Sequence, residues 1–577
     1  MFLMLSLGSP PPIRYLSVLP DTFLVEGTSP AALATIKVQD RVLEQGYVYS
    51  VIQTNPEASN EEQAYGAGFV EGYALGDALA DHMENVLIDT FNGSFPHQFR
   101  SYATKNLEYI HTKTRGDDLS DFWLGVKAAC DWLRGLTDGY ARYATENGLP
   151  LYDIEDFFMY NAVGDWEDLE AILVPEEAKM TRHTRIELGQ HHHCSGAIRL
   201  TPALDDAYFS HDTWTSFGSG FNRVMKSLQL HLSFGTSKHQ RISFSSMPGL
   251  FSSVDDFYVQ EVSDSSYTKS SNMAVLETTF HTFNESLYGE FLTTEGTVVL
   301  TWMRAQVANL LSHTADEWPK HFNQEESFTY NNAWIILDYA ALRDVVVATQ
   351  PSSSASTLTM NPKDLYMTRQ DYIQKEDIVL LYINEVVPGH TKAYDVTANL
   401  LRDGYFFSIN TPMDEELFVI SGYADKNDPY WSFNESARYK IFTRELPKVT
   451  TLQDFKLLMR YNDYLHDEAS NLDPGQSIAS RYDLRDPHLC GRTGSLFGAT
   501  DSKVTDSFLA SRLAFEVIIG PARGKDSALP LFNFSVFDNL PRRGVPDVLP
   551  NVWSVFLPTT LSSFSNPSGP TPIPESE

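Results

Sequence analysis

The sequence predicts an α+β protein in which antiparallel strands pair with one another and helices occupy separate stretches. Strand-like runs recur through the second half of the chain: RISFSS, AVLETTF, TVVLTWM, AWIILDY and DIVLLYI. They are interrupted by two helix-like stretches, RAQVANLLSHTADEWPKHF and TLQDFKLLMRYNDYLHDEA. With 577 residues and 42% hydrophobic side chains, the chain can bury a large core.

The first 60 residues also predict strands, in the runs RYLSVL, TIKVQDRV and YVYSVIQT. Residues 64–87, AYGAGFVEGYALGDALADHMENVL, predict a buried helix. Its glycines are spaced G-x-G-x-x-x-G, which is not the dinucleotide fingerprint, so phosphate binding is rejected. Ala64, Gly68, Gly72 and Gly76 recur every four residues and form one face of small residues. This face predicts close approach of another element.

Residues 103–175 predict further helices, with Cys130 in the core among apolar neighbours. The polar segment 176–193 predicts an exposed linker, and the Ser/Pro-rich tail 559–577 predicts disorder. The terminus MFLMLSLGSPPP is either a short signal peptide at 1–12 or an ordinary chain end.

The charge and cysteine content exclude several classes of protein. A formal net charge of −32 repels phosphate backbones, so no nucleic-acid partner is expected. No apolar run is long enough to span a membrane. The three cysteines form no CxxC pair and no disulfide framework. Four N-x-S/T sequons favour a secretory route and are candidate glycosylation sites: Asn92, Asn284, Asn434 and Asn533.

Cys194, in HHHCSGAIRL, has three readings: a metal ligand, a core thiol or a nucleophile. Neighbouring side chains on an extended chain point to alternate sides, so residues 191–194 cannot all coordinate one tetrahedral metal ion. A second cluster elsewhere would have to complete the site, and none has convincing spacing, so we predict no metal; a zinc protein using residues 191–194 stays an alternative. We also predict no cofactor. A hairpin follows Cys194, and pairing of residue 200 with residue 206 would place Cys194 opposite Asp212. His211, Asp212, Thr213 and Trp214 would then lie beside the thiol, as in a reactive centre.

Several blocks, in order along nearly the whole chain, resemble the phospholipase B-like family, the lamina ancestor-like lysosomal N-terminal nucleophile (Ntn) hydrolases. They are HCSGAIRL with SHDTW, AGFVEGY (67–73), NAVGDWEDL (161–169), ISFSSMPGLFSSVDDFYV (242–259), LETTF (276–280), FTYNNAWIILDY (328–339), RYNDYLHD (460–467) and SRYDL (480–484). The resemblance implies a four-layer αββα sandwich of antiparallel sheets. It also implies autocatalytic cleavage between His193 and Cys194.

The implied products are an N-terminal fragment, 1–193, and a nucleophile-bearing fragment, 194–558 with the tail, which stay associated. Cleavage would give Cys194 both a thiol and a free amine that accepts the thiol proton. Asn331 or Asn332 would donate to the tetrahedral oxygen, and Arg438 would orient the amine and stabilise the thiolate. His211 would polarise the nucleophile, and Asp212, Thr213 and Trp214 would line the site. Each side chain also has a structural reading: a turn cap for the asparagines, an ion-pair partner for Arg438 and a core residue for His211.

The family implies removal of acyl chains from glycerophospholipids through an acyl-enzyme on Cys194, in a lysosomal or secreted protein. The expected partner is a phospholipid or acyl-amide substrate, with peripheral membrane contact. The same chemistry fits an amidase acting on acyl-amide or peptide-like substrates. A non-catalytic lysosomal lipid-binding protein is the alternative from another class.

Overall fold

The computed structural model describes residues 12–174, 194–264, 270–350, 361–524, 528–537 and 539–561. Within these ranges the chain is mixed α and β, as the sequence predicts. The strands are β1 Arg14–Val18, β2 Leu24–Glu26, β3 Ala34–Arg41, β4 Tyr47–Thr54, β5 Cys194–Leu200, β6 Ala207–Ser216, β7 Arg223–Leu230, β8 Ser237–Ser246, β9 Phe257–Asp264, β10 Met273–Thr279, β11 Asn332–Asp338, β12 Leu381–Val387, β13 His390–Asp395, β14 Tyr405–Ser408, β15 Phe497–Ala499, β16 Asp501–Thr505, β17 Phe515–Ile519 and β18 Ser554–Phe556.

The helices lie mainly before β5 and between the later strands. They are α1 Val42–Gln45, α2 Asn60–Ala74, α3 Gly76–Phe91, α4 His97–Lys113, α5 Asp121–Asn147, α6 Ile154–Asn161, α7 Trp166–Leu173, α8 Ser286–Phe291, α9 Thr301–Leu311, α10 Glu317–Phe322, α11 Tyr339–Ala348, α12 Pro362–Lys375, α13 Thr397–Asp403, α14 Glu415–Ile420, α15 Ala437–Glu445, α16 Leu452–Met459, α17 Pro487–Cys490 and α18 Ser507–Ala510. Among the described residues, no helix is both long enough and apolar enough to cross a bilayer.

The strands form two sheets. The larger has the order β13-β12-β11-β10-β9-β8-β7-β4-β3-β1-β2, and the smaller has the order β14-β5-β6-β16-β17-β18, with β15 also paired to β6. All of these pairs are antiparallel except β4 with β7. That parallel pair runs from Tyr47 to Gln53 and joins a segment before Cys194 to a segment after it.

The chain has four layers. One apolar cluster lies between the larger sheet and helices α2–α7, α9 and α10. A second cluster lies between the two sheets, with Phe209 and Ile198 from the smaller sheet and Leu276 and Ile335 from the larger. A third lies between the smaller sheet and helices α15 and α16. This order of helices, sheet, sheet and helices confirms the predicted sandwich of antiparallel-rich sheets.

Helices α2 and α5 pack at unusually short range, as the small-residue face predicts. A Cβ added to Gly68 would lie 2.0 Å from the Trp132 carbonyl oxygen, and one added to Gly72 would lie 2.3 Å from the Leu136 oxygen. Gly139 of α5 is equally close to α2. The two backbones therefore touch where side chains are missing. The predicted single helix is in fact two, since the α-helical turns break at Leu75 between α2 and α3.

Three segments differ from their predictions. The run TVVLTWM is not a strand, because Thr301 begins helix α9 after a loop. The helix predicted over residues 304–322 is broken after Leu311, and the one predicted over 451–469 ends at Met459. The tail does not begin at Thr559, because Leu561 is buried in the cluster between the sheets.

The remaining sequence predictions concern Cys130, the linker and chain ends, and the four sequons. Cys130 is half-buried and packs against the helical side of the core, as predicted. The linker 176–193 and the residues 1–11 and 562–577 lie outside the described residues. Asn92 and Asn434 are exposed, whereas Asn284 and Asn533 are half-buried. The Asn284 amide also donates to the Ile420 carbonyl, so this sequon is the least accessible of the four.

Candidate active site

Cys194 is the first residue of β5, and its side chain lies between the two sheets. Its partner across the hairpin is Thr213, and Leu200 pairs with Ala207. The sequence-based register, with residue 194 opposite Asp212, is therefore wrong by one. The turn holds one more residue than predicted, because the Thr201 N–H donates to the Asp206 carbonyl and Leu204 adopts a left-handed conformation. A shift of one residue reverses the side that each side chain faces.

The corrected register separates the predicted residues into two groups. His211 and Thr213 face the larger sheet together with Cys194. Asp212 faces the opposite way, towards Arg460 and Ser502, and burial raises the pKa of its carboxyl. Asp212 is therefore not part of the site. The Trp214 side chain also points away from the interface between the sheets. It nevertheless borders the neighbouring cavity, and the Arg438 guanidinium lies over its ring.

The backbone of Cys194 is held from both ends. Its N–H donates to Asn410 Oδ1 at 3.2 Å. Its carbonyl oxygen accepts from the Arg438 guanidinium, which also donates to Asn410 Oδ1 at 2.8 Å and to the Ile409 carbonyl at 2.7 Å. Asn410 has a positive φ of 64°, a conformation that asparagine tolerates better than most residues. One arginine thus fixes both the cysteine and the amide that contacts its nitrogen.

Arg438 is buried and donates to neutral oxygens, with no carboxylate among its hydrogen-bond acceptors. Burial lowers its pKa to about 10. The ion-pair reading of this residue therefore does not describe its contacts. Its guanidinium lies 4.5 Å from the Trp214 ring centroid, where the π face partly replaces the lost hydration.

A group of acidic side chains also lies near Cys194. The Tyr330 hydroxyl donates to Glu277 Oε1 at 2.9 Å and to the Asp256 carboxyl. Burial raises the pKa of Glu277 to about 7, and burial together with Glu277 raises that of Asp256 well above its usual range. Burial and the Glu277 charge likewise raise the pKa of the Cys194 thiol, while the Trp214 backbone lowers it. The thiol is therefore protonated in this environment.

Two buried cations and two buried carboxylates form a cluster next to Thr213. Lys503 Nζ donates to Asp501 Oδ1 at 2.8 Å and to Thr213 Oγ1 at 2.5 Å. Arg223 donates to Asp255 Oδ2 at 2.6 Å, and the two cations hold the pKa of the Asp255 carboxyl below its ordinary value against the effect of burial. This ion pair gives Asp255 a structural role. These charges balance locally and fix Thr213 opposite the thiol.

His211 lies in this polar centre without a hydrogen bond of normal geometry on either ring nitrogen. Burial, with a smaller contribution from Lys503, lowers the pKa of its imidazole well below 6.5. It is therefore neutral. Its ring nitrogen, Cys194 Sγ and a Glu277 carboxylate oxygen lie within 4.8 Å of one another.

The predicted amide donors are placed differently from expectation. The Asn331 amide nitrogen donates to Asp168 Oδ2 at 3.0 Å and to the Phe328 carbonyl at 3.1 Å, so both of its hydrogens are used. Asn332 begins β11 and is fully buried. Neither contacts Cys194 through a hydrogen bond; Asn410 does. Asn410, Glu277 and Lys503 were missed because no spacing in the sequence relates them to residue 194.

A cavity of about 300 Å³ opens beside Cys194. Its lining as a whole is more apolar than polar, and Asp89 and Ser219 lie among its polar groups. The apolar lining side chains include Trp166, Trp214, Met247, Leu250 and Phe497. Such a pocket suits an apolar ligand with a few polar groups that orient it.

The chain is similar in sequence to known proteins along most of its length. The family model described as Phospholipase B matches residues 34–555. Phospholipase B of Crotalus adamanteus is 31% identical over 85% of this chain and 82% of its own length. Phospholipase B-like protein B of Dictyostelium discoideum is 28% identical over 92% of this chain and 87% of its own. Phospholipase B-like 1 of Rattus norvegicus is 29% identical over 85% of this chain and 80% of its own length. The chain belongs to the phospholipase B family.

Proposed function

We propose that this chain is a self-processing cysteine hydrolase that removes acyl chains from glycerophospholipids. The names of its relatives support a phospholipase-type hydrolase. The observation that carries the proposal is the convergence of Asn410 and Arg438 on the backbone of Cys194, beside a largely apolar cavity.

The processing step uses the Cys194 thiol. Sulfur attacks the carbonyl carbon of His193, the C–N bond to Cys194 breaks, and the thiol proton passes to the departing nitrogen. Water then hydrolyses the thioester and leaves a carboxylate on His193. Asn410 supports this step because it already accepts a hydrogen bond from the nitrogen that becomes the amine.

The new amine then serves as the base for turnover. An ordinary α-amino group has a pKa of roughly 7.7–8.0, so in an acidic compartment it would carry a proton. Burial and the neighbouring Arg438 charge both disfavour the ammonium form. With the proton removed, the thiolate attacks the ester carbonyl, releases the lysophospholipid alcohol and forms an acyl-enzyme that water hydrolyses. The acyl chain would occupy the apolar cavity.

The two fragments would remain together after cleavage. The parallel ladder between β4 and β7 crosses the cleavage point, and so does the buried ion pair between Glu71 of α2 and Lys226 of β7. Separation would expose both. The sequons further support a secreted or lysosomal location, with Asn92 and Asn434 as the accessible glycan acceptors.

Turnover of matched substrates tests the proposed reaction. Purified processed protein would be incubated with a diacylphosphatidylcholine and with an N-acyl amide of the same chain length, and released fatty acid measured by mass spectrometry. We expect release from the phospholipid and none in Cys194→Ala. Release of fatty acid from the amide alone would show that the protein is an amidase rather than a phospholipase. Binding to phospholipid vesicles that is equal in both proteins, without release from either substrate, would favour a lipid-binding protein.

A further inference from the structure

Three potential metal-binding side chains meet at the centre of the site. They come from three different strands: Cys194 from β5, His211 from β6 and Glu277 from β10. One donor atom of each lies within 4.8 Å of the other two, and all three residues are buried. Closing these distances around a single ion requires movements of an ångström or less, because donor atoms on a tetrahedral zinc ion are separated by roughly 3.3–3.8 Å.

The chemistry of the donors selects the class of ion. Thiolate and imidazole are poor ligands for Mg²⁺ and Ca²⁺, which prefer oxygen. A set of one sulfur, one imidazole nitrogen and one carboxylate oxygen suits Zn²⁺ or Co²⁺. Of the three residues, Cys194 borders the cavity, from which water could complete the coordination.

His211 gives a second, independent reason for a ligand. Its two ring nitrogens are fully buried and neither makes a hydrogen bond of normal geometry, although each has a lone pair or proton to satisfy. Glu277, by contrast, is held in place by the Tyr330 hydroxyl at 2.9 Å and the Thr279 hydroxyl at 3.3 Å. A metal ion would give the imidazole a partner and would use a carboxylate that is already oriented.

The surrounding charges allow a cation to enter. Lys503 and Arg223 are both paired with carboxylates of Asp255 and Asp501, and the Arg438 guanidinium donates to the Cys194 backbone carbonyl. Asp256 and Glu277 are two further carboxyl groups bridged by one tyrosine hydroxyl. As a metal–sulfur bond forms, the thiol proton leaves to solvent, so the ion and its ligands approach electrical neutrality.

We propose that Cys194, His211 and Glu277 bind one zinc-class divalent ion, and that the bound ion reversibly blocks the nucleophile. A metal-bound thiolate has its reactive electron pair engaged and its approach to the cavity closed. The blocking effect rests on the proposed hydrolase function, whereas ion binding does not.

Cobalt substitution tests the binding directly. Protein stripped with a chelator would be titrated with Co²⁺, and the thiolate-to-cobalt charge-transfer absorption recorded; competition with Zn²⁺ then gives affinity and stoichiometry. We expect one ion per chain, with affinity reduced by about tenfold or more in Glu277→Gln and His211→Ala. Cys490→Ser, which alters a cysteine far along the chain, is the matched control and should bind as the unmodified protein does. An ion held only by the histidines at 191–193 would give no sulfur band.

The outcomes separate this site from the proposed reaction. Absence of the sulfur band in the unmodified protein, or a band unchanged in both ligand variants, overturns the metal site. Stoichiometric binding with phospholipid turnover unaffected by Zn²⁺ overturns the blocking role. If the metal-free protein binds cobalt as expected but hydrolyses neither phospholipid nor amide, the proposed function fails and the metal site stands.

Discussion

Two buried regions of this chain are stabilised in opposite ways. Between α2 and α5, the contact depends on missing side chains: glycines at 68, 72, 135 and 139 let two backbones meet. Around Cys194, the contact depends on hydrogen bonds between buried polar groups, with Arg438 alone donating to four oxygens. The first region tolerates no added volume, and the second tolerates no lost partner.

The difference explains how each region should respond to change. Close packing fails sterically, because neither backbone can move away without separating the layers it belongs to. A buried polar cluster fails electrostatically, because removal of one group leaves others desolvated and unpaired. Substitutions in the helix pair should therefore affect stability first, and substitutions at the cysteine should affect chemistry first.

The largest effect is expected for Gly68→Ala. The added Cβ would lie 2.0 Å from the Trp132 carbonyl oxygen, so α2 and α5 must separate. We expect a loss of about 4 kcal/mol or more in the free energy of unfolding, measured by urea denaturation. Gly289→Ala is the matched control, because nothing lies within 4 Å of a Cβ at that helical position. It should be neutral or stabilising by about 0.5–1 kcal/mol. Equal effects in both variants would refute the close-contact account.

Arg438→Met should give the next largest effect, on cleavage and turnover. Methionine fills much of the volume but removes the Arg438 donor from the Cys194 carbonyl and from Asn410 Oδ1, which keeps only the Cys194 N–H. We expect the rate of self-cleavage to fall by about 100-fold or more. The measurement is the fraction of cleaved chain against time on denaturing gels. Lys440→Met, an exposed position on the same helix, should cleave normally. Normal cleavage in Arg438→Met would remove the arginine from the mechanism.

A smaller, pH-dependent effect is expected for Asp168 of α7, which accepts hydrogen bonds from Tyr330 N and Asn331 Nδ2. Burial, with a smaller contribution from Glu167, raises its pKa from 3.8 to about 7. Because the folded pKa is the higher one, its stabilising effect is complete below pH 4 and is lost as pH rises through 7. The unmodified protein should lose about 2 kcal/mol between pH 5 and pH 7 relative to Asp168→Asn.

Melting experiments across this pH range would measure that difference, with Asp118→Asn, on an exposed loop, as control. The control should follow the unmodified protein at every pH. Parallel curves for Asp168→Asn and the unmodified protein would show that this carboxyl titrates as if it were exposed.

The two regions also differ in how far the sequence predicts them. The α2–α5 contact follows from a spacing of four residues within one segment, and helix geometry converts that spacing into a face. Cys194, its strand and the neighbouring His211 and Thr213 follow from a hairpin that is local in sequence. Strand register is less certain, and one extra residue in the turn was enough to move Asp212 out of the site.

The remaining site residues could not be predicted in this way. Asn410 and Glu277 lie 216 and 83 residues from Cys194, and only the packing of two sheets brings them together. Arg438 was found through the family resemblance, but the resemblance did not reveal its acceptors. Asn331 lies in a strong motif and contacts Asp168, and its role as a donor to the tetrahedral oxygen stays a prediction.

N-terminal sequencing of the purified protein, together with its intact mass, tests the central claim most directly. We predict two fragments, the second beginning CSGAIRL at Cys194, and a single uncleaved chain in Cys194→Ala. A hydrolytically active preparation in which the chain is intact, or cleavage before residue 194 in Cys194→Ala, would contradict the account.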